Sequence, residues 1–363
     1  MSALSRETIE QALKGYVEPH LAKDLVTAGC LEDVTIDGGR VSISLKLGFP
    51  AKTFRKELEA AVSEAVRRVE GVQEVNIHSE TSIASHLGQR GVTDVKGVKN
   101  IIAVASGKGG VGKSTTAVNI ALALSAEGAR VGVLDADIYG PSQPRMLGIA
   151  GKPDSKDGKK LEPMVNYNVQ AMSAGFLIDE ETPMIWRGPM VTQALEQLLR
   201  DTNWQDVDYL VVDMPPGTGD IQLTLSQKVP VSGAVIVTTP QDIALLDARK
   251  GLKMFEKVNV PVLGIVENMS THICSQCGHE EHIFGEGGGA RMAEQYGLEL
   301  LGSLPLDIHI REQADGGKPT VIADPDGRLA QSYREIARRI AARLSQQRKD
   351  FSSKFPKITV END

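Results

Sequence analysis

The sequence predicts an α/β protein with a mostly parallel sheet between helix layers, preceded by a small α+β domain. Three observations predict it. Short apolar runs at residues 101–105, 131–134, 209–212, 234–238 and 262–266 show no apolar–polar alternation. Strands read this way when both faces are buried, as in a parallel sheet covered by helices. Ahead of them, the first 79 residues follow a helix–strand–strand–helix–strand order. Finally, Gly107-Lys108-Gly109-Gly110-Val111-Gly112-Lys113-Ser114-Thr115 contains G-x-x-x-x-G-K-[ST] between the first apolar run and a helical segment at 115–126. That context makes the α/β part a P-loop NTPase.

Taken in order, Ser5 is placed as a helix N-cap, with Leu4 and Ile9 as a hydrophobic staple, and the helix runs to about residue 16. Residues 34–47 alternate about Asp37-Gly38-Gly39 and read as a β-hairpin. Phe54, Leu58, Ala61, Val62, Ala65 and Val69 recur at helical spacing. A short strand is expected at 72–77. This gives a small domain over 1–79 and a polar, glycine-containing linker over 80–99, followed by the ATPase domain over 100–350. A last helix carries Leu329, Ile336, Ile340 and Leu344. The segment 351–363 is polar, holds Pro356 and ends acidic, so a flexible tail is expected.

Composition narrows the function. A length of 363 residues points to two domains, and 41% apolar residues allow a sizeable core. A net charge of −7 argues against a nucleic-acid partner, which favours a basic surface. No apolar run reaches the roughly 18–20 residues that span a bilayer. The first seven residues carry an acid and no apolar stretch, so neither a secretory leader nor a membrane partner is expected. Three cysteines do not make a disulfide framework, and a cytoplasmic location is expected.

The chemistry starts at the glycine-rich loop. Glycines let successive backbone N–H groups turn inward around a phosphate, and the helix N-terminus adds positive potential. Lys113 is expected to reach the β- and γ-phosphates and to lie outside the core, and Ser114 to ligate Mg²⁺. Asp213 closes the apolar run 209–212 as the acid beside Mg²⁺, and Met214-Pro215-Pro216-Gly217-Thr218-Gly219-Asp220 follows as a γ-phosphate-sensing loop. Asp135-Ala136-Asp137 ends another strand at the edge where open α/β sheets hold their ligands. No glutamine or arginine is obviously placed for fast hydrolysis, so slow turnover is expected.

Cys274-Ser275-Gln276-Cys277 offers two thiolates at chelating spacing. Three readings are open. The pair is half of a four-thiolate iron–sulfur site completed by a second chain. Alternatively it joins His279 and His282 in a Cys₂His₂ zinc site, or it is a redox dithiol, although no thioredoxin-like context surrounds it. Cys30, between Gly29 and Leu31, reads as a small packed residue.

The loop pattern GKGGxGK[ST] resembles the deviant Walker A family that includes the nitrogenase iron protein, MinD and ArsA. The resemblance implies that Lys108 crosses a dimer interface to the partner's nucleotide, and that Asp137 orients the attacking water. It also implies that Asn268 hydrogen-bonds adenine, with Pro305 walling the base. Val266-Glu267-Asn268-Met269-Ser270, the cysteine pair with Gly278-His279, Ile283-Phe284-Gly285 and Gly287-Gly288-Gly289 extend the match. So does Gly302-Ser303-Leu304-Pro305-Leu306-Asp307-Ile308-His309-Ile310-Arg311-Glu312. Over residues 99–344 the chain closely resembles the Mrp/ApbC family of iron–sulfur cluster carrier ATPases. The N-terminal region resembles the small iron–sulfur-assembly-associated domain often fused in front, but its loop Gly48-Phe49-Pro50-Ala51-Lys52 lacks the cysteine common there.

The resemblance implies ATP and Mg²⁺ as cofactors and a homodimer. It implies a [4Fe-4S] cluster held between subunits by Cys274 and Cys277 of each, and delivery to apo iron–sulfur client proteins. Gly278 and the run Gly287-Gly288-Gly289 are expected to leave room for a second chain. The alternative is a partitioning ATPase like MinD or ParA, which would need a membrane-seeking C-terminal helix or a basic surface. Arg187, in Ile185-Trp186-Arg187-Gly188-Pro189, has no assigned role.

Overall fold

A computed structural model describes residues 4–86, 88, 92–156, 158–177, 188–274 and 276–347. Arg187 and the tail 351–363 lie outside the described residues. The N-terminal unit runs α1 (Arg6–Lys14), β1 (Val17–Glu18), β2 (Lys23–Asp24), β3 (Leu31–Asp37), β4 (Arg40–Leu47), α2 (Arg55–Arg67) and β5 (Glu74–Thr81). Ser5 caps α1 in a capping box: Thr8 N donates to Ser5 Oγ at 3.3 Å, and Ser5 N donates to Thr8 Oγ1 at 3.0 Å. The sheet order is β3-β4-β5, with β5 parallel to β4. Leu58, Val62 and Val66 of α2 are fully buried. Cys30 is buried at the turn into β3, where its N–H donates to Leu25 O at 2.9 Å.

The larger unit runs β6 (Val98–Ala105), α3 (Lys113–Ala126), β7 (Val131–Asp135), α4 (Gln143–Met146), β8 (Met164–Asn166), β9 (Val169–Ser173), α5 (Gly188–Asp201), β10 (Val207–Asp213) and α6 (Asp220–Lys228). It continues through β11 (Gly233–Thr238), α7 (Asp242–Lys257), β12 (Val262–Glu267), β13 (His272–Ile273), β14 (Glu280–Glu281), α8 (Gly288–Tyr296), β15 (Leu300–Ser303), α9 (Ile308–Asp315), α10 (Thr320–Ala323) and α11 (Arg328–Ser345). Eight strands form one sheet in the order β15-β12-β11-β6-β10-β7-β9-β8, parallel except for β8 at the edge. The five predicted strands form its contiguous centre. The three added ones lie toward the two ends of the sheet, where polar residues such as Gln170 and Asn166 break the apolar pattern. α3 is buried around its whole circumference and packs against α11, whose Ile336, Ile340 and Leu344 are buried.

Part of the stretch read as a linker, residues 83–85, is docked on β6. Ser85 Oγ donates to Lys99 O at 2.9 Å, Lys99 Nζ to Ile83 O at 3.1 Å, and Asn100 Nδ2 to Ala84 O at 2.9 Å. The two units also share one continuous apolar core. A buried polar seam joins them. Glu127, at the C-terminal end of α3, accepts from Thr53 N at 2.9 Å and from Arg338 Nη1 at 3.1 Å. Nearby, buried His20 sits between Glu18 (Nδ1–Oε1 2.7 Å) and Glu335 of α11 (Nε2–Oε2 2.9 Å), its ring edge-on to Phe54.

Burial opposes a charge on His20, but the hydrogen bonds to Glu18 and Glu335 outweigh it and raise its pKa above 6.5. His20, with Arg338 and Arg339, holds the Glu335 carboxyl well below its usual range. The raised histidine stabilises the seam fully below pH 6.5, and this stabilisation is lost as pH rises through the folded-state value. The lowered Glu335 works the other way, losing its contribution below about pH 4.5. His20→Ala is therefore expected to cost about 3–5 kcal/mol at pH 6, the scale for stranding one partner of a buried ion pair. The difference from wild type should shrink by pH 8.5. Denaturant unfolding at the two pH values measures it, and a pH-independent difference would refute the charged-histidine seam.

Candidate nucleotide and metal site

β6 ends at Ala105, and the chain turns through Gly107 to Gly112 into α3 at Lys113, two residues earlier than the sequence suggested. Two glycines are required by close approach. A Cβ on Gly107 would meet the backbone of Asp247 on α7 at 2.1 Å. Gly112 has φ +80°, and a Cβ there would meet Asn268 Nδ2 at 2.2 Å. Gly109 and Gly110 are exposed at the loop's crown, while Val111 is buried beneath it. Ser114 and Thr115 stand in the first turn of α3. The loop conformation and helix start fit a phosphate group.

Lys113 corrects one expectation. It is 6% exposed, so it lies in the core, with Nζ ion-paired to Asp213 Oδ1 and donating to Ser114 Oγ at 3.1 Å. A lysine tolerates this depth because fully buried Asp213 supplies the opposite charge. Asp135 lies beside it. Burial first, and then the Asp213 charge, push the Asp135 carboxyl up to about 7. Asp135 accepts from Gln143 N at 3.0 Å and Ser173 Oγ at 3.1 Å. Asp137 N donates to Asp135 Oδ1 at 3.2 Å. Burial raises the Asp137 pKa, and the Lys113 charge only partly opposes this. Three carboxyls thus share the surroundings of one ammonium. The Ser114 hydroxyl and the Asp213 carboxylate offer hard oxygens there, and the surplus negative charge fits a divalent cation.

The sequence reading missed Gln143. It saw no glutamine obviously placed for fast hydrolysis and did not single this one out: the 1% exposed Gln143 donates through Nε2 to Asp213 Oδ2 at 2.9 Å and to Ser114 O at 3.1 Å. Its short distance downstream of Asp137 was the available signal. Lys108 is half-buried, with Nζ 3.5 Å from Gln241 Oε1 at the start of α7. Asn268 follows β12, and its Nδ2 donates to Val111 O at 2.9 Å. It therefore braces the cradle through Nδ2. Pro305 is partly exposed beyond β15.

The same strand end carries the cysteines. Leu304 N donates to Glu267 O at 2.9 Å and Leu306 N to Thr271 O at 2.7 Å, so the chain leaves the sheet as a braced stem. β13 and β14 pair antiparallel, and between them Cys274 N donates to His279 O at 2.9 Å and Gly278 N to Cys274 O at 2.8 Å. Gly278 has φ +71° with open space where a Cβ would be. Cys277 is exposed and Cys274 half-buried. Backbone N–H groups of Gln276 and Cys277, then the Cys277 side chain, lower the Cys274 pKa. That favours the thiolate, the form that binds metals.

The zinc alternative finds its histidines turned elsewhere. His282 Nδ1 lies 2.9 Å from Ser270 O, and His279 Nε2 is 3.6 Å from Glu281. Among the described residues no three His, Cys, Asp or Glu side chains are gathered to hold a metal ion. The glycine run 287–289 also differs from expectation. Cβ atoms on Gly288 and Gly289 would meet Pro240 O at 2.6 Å and Glu267 at 3.0 Å. The run packs α8 within its own chain.

The glycine cradle, the buried acids and the parallel sheet order define a P-loop NTPase. Two matches carry this further. Residues 97–341 match the family of NUBPL iron-transfer P-loop NTPases, and residues 6–78 match an iron–sulfur cluster assembly protein family. The chain belongs to this family of iron–sulfur cluster carrier NTPases, the Mrp/ApbC family, with the assembly domain in front. It is 62% identical to an iron–sulfur cluster carrier protein of Pseudomonas fragi over 75% of this chain and 96% of that one. It is 51% identical to one of Escherichia coli over 93% and 92%. It is similar to a solved ADP-bound nucleotide-binding protein of Archaeoglobus fulgidus, with TM-score 0.56 and 36% identity over 64% of this chain and 90% of that one. The MinD ATPase of Pyrococcus furiosus, TM-score 0.51 at 24% identity over 66% and 98%, shares the fold.

Proposed function

We propose that this chain is an ATP-dependent carrier that holds a [4Fe-4S] cluster between two copies and passes it to apo iron–sulfur proteins, hydrolysing ATP slowly. The observation that carries the reading is the cysteine knuckle's position. Asn268 braces the phosphate loop, and Cys274 follows only six residues later on one braced stem. A change at the cradle therefore has a short mechanical path to the thiols. The relatives' names as carriers, and the ADP in the Archaeoglobus fulgidus protein, point the same way.

Mg²⁺, when bound, would neutralise phosphate charge, with Ser114 and Asp213 to hold it. Lys113 leaves Asp213 for the β- and γ-phosphates. Asp137 orients the attacking water, and its raised pKa suits a group that handles a proton. Lys108 of one copy reaches the nucleotide of the other. Cys274 and Cys277 of both copies supply the four thiolates a cubane needs. We place the carrier in the cytoplasm, where such thiols stay reduced. A MinD-like membrane role is not favoured: the apolar face of α11, the last described helix, is buried and faces α3.

The test is cluster transfer. Protein reconstituted anaerobically with iron and sulfide is mixed with an apo [4Fe-4S] enzyme, with and without MgATP, and recovered client activity is read. Transfer is expected, and MgATP should change its rate. Lys108→Ala should bind ATP within about threefold of wild type and hydrolyse it at least tenfold more slowly, the scale for one charged hydrogen bond. No transfer under any condition would refute the carrier reading. Loss of ATP binding in Lys108→Ala would refute the role in trans.

A further inference from the structure

Gln143 has no task in the steps above, yet it is the best-connected neutral side chain of the site. It follows the Asp137 loop and heads α4. Its side-chain nitrogen joins Asp213 Oδ2 and Ser114 O, while its backbone N–H joins Asp135 Oδ2. One residue thus ties together the ends of β7 and β10 and the first turn of α3. The two acceptors on one end of the amide fix that end as nitrogen. The other end, Oε1, is buried with no hydrogen-bond partner among the described residues.

A buried acceptor left unmade costs about 1–3 kcal/mol, and native structures keep few of them. An apolar side chain of similar volume would fill the space without that penalty. The penalty is offset if Oε1 gains a donor in the liganded state. Mg²⁺ at nucleotide sites keeps several of its waters, which are donors, and is held by only one or two carboxylates.

We propose that Gln143 is a positioning residue of the nucleotide site. Its amide nitrogen fixes the Asp213 carboxylate and the first turn of α3, and its Oε1 is reserved for the hydrated cation held by Ser114 and Asp213. The proposal rests on the reading of this site as one for Mg²⁺ and a nucleotide. Lys113 and Gln143 take separate oxygens of Asp213. When Lys113 moves to phosphate, Gln143 keeps the carboxylate from rotating.

The experiment is a titration of the full-length protein with fluorescent ADP, with excess Mg²⁺ and with EDTA. In wild type, Mg²⁺ should tighten binding. In Gln143→Leu the gain from Mg²⁺, taken relative to the same variant's affinity in EDTA, should fall about tenfold, as for one lost hydrogen bond to a charged partner. Gln143→Asn withdraws the same amide by one methylene and should lose at least threefold of the gain. It also serves if the leucine variant fails to fold. An unchanged Mg²⁺ gain in the folded variants overturns the proposal. So does equal weakening with and without Mg²⁺, which a merely structural residue would give. If wild type binds no nucleotide, the Mg²⁺-nucleotide reading itself falls and this proposal with it.

Discussion

Lys113→Ala should lower ATP turnover about a hundred- to a thousandfold and still leave a folded protein. The first part follows from removing one preorganised positive donor from a transition state, worth about 2.7–4 kcal/mol. The second needs an argument, because Lys113 is buried against Asp213. Stranding one partner of a buried ion pair usually costs about 3–5 kcal/mol. Here the cluster has another exit. Asp135 is already pushed up to about 7 with Lys113 in place. Without the ammonium, Asp135 takes a proton at neutral pH at little cost, so the loss should fall below that range.

The sign follows from the direction of the shift. A carboxyl whose folded-state pKa is raised stabilises the fold at low pH, and that contribution is lost as pH rises through the raised value. Lys113→Ala should therefore be nearly as stable as wild type at pH 5.5 and clearly less stable at pH 8.5. Turnover and unfolding at both values test the two parts. Wild-type turnover would remove Lys113 from the site, and a pH-independent deficit would remove Asp135 from the account.

Much of the frame was legible because local signals agreed with the fold. Ser5 caps α1 as read, and the five unalternating apolar runs became the centre of the sheet. The cradle was legible because its glycines answer a backbone requirement that holds whatever surrounds it. The rest depended on contacts far apart in sequence. Gln143 and Asp213 are 70 residues apart, and nothing in the local pattern pairs them. Phosphate chemistry explains the charge of Lys113 but does not show that the ammonium lies buried against an acid. The glycines at 287–289 read as open space, whereas Pro240 and Glu267 already occupy it. Residues 80–99 read as a tether because they are polar, yet Ile83, Ala84 and Ser85 are hydrogen-bonded to β6.

Cys274→Ala and Cys277→Ala are each expected to abolish stable cluster binding while leaving the fold and nucleotide binding intact. The argument is one of counting. A [4Fe-4S] cluster takes four thiolates, and each chain offers two at the knuckle. Cys30 is buried in the N-terminal unit and does not join them. In the proposed carrier a second copy supplies the other two, so removing one cysteine per chain would remove two of four ligands. The fold should survive because both side chains are at the surface end of a two-residue hairpin and carry none of the core. Exposed Ile273 and Ile283 flank the knuckle, and a second copy would cover them. After anaerobic reconstitution, iron and sulfide are measured with the oligomer mass. Wild type should give about two irons per chain in a dimer with a [4Fe-4S] spectrum, and the variants near zero. One zinc per monomer, kept through reconstitution, would overturn the count and require His279 and His282 to turn from Glu281 and Ser270 toward the thiols.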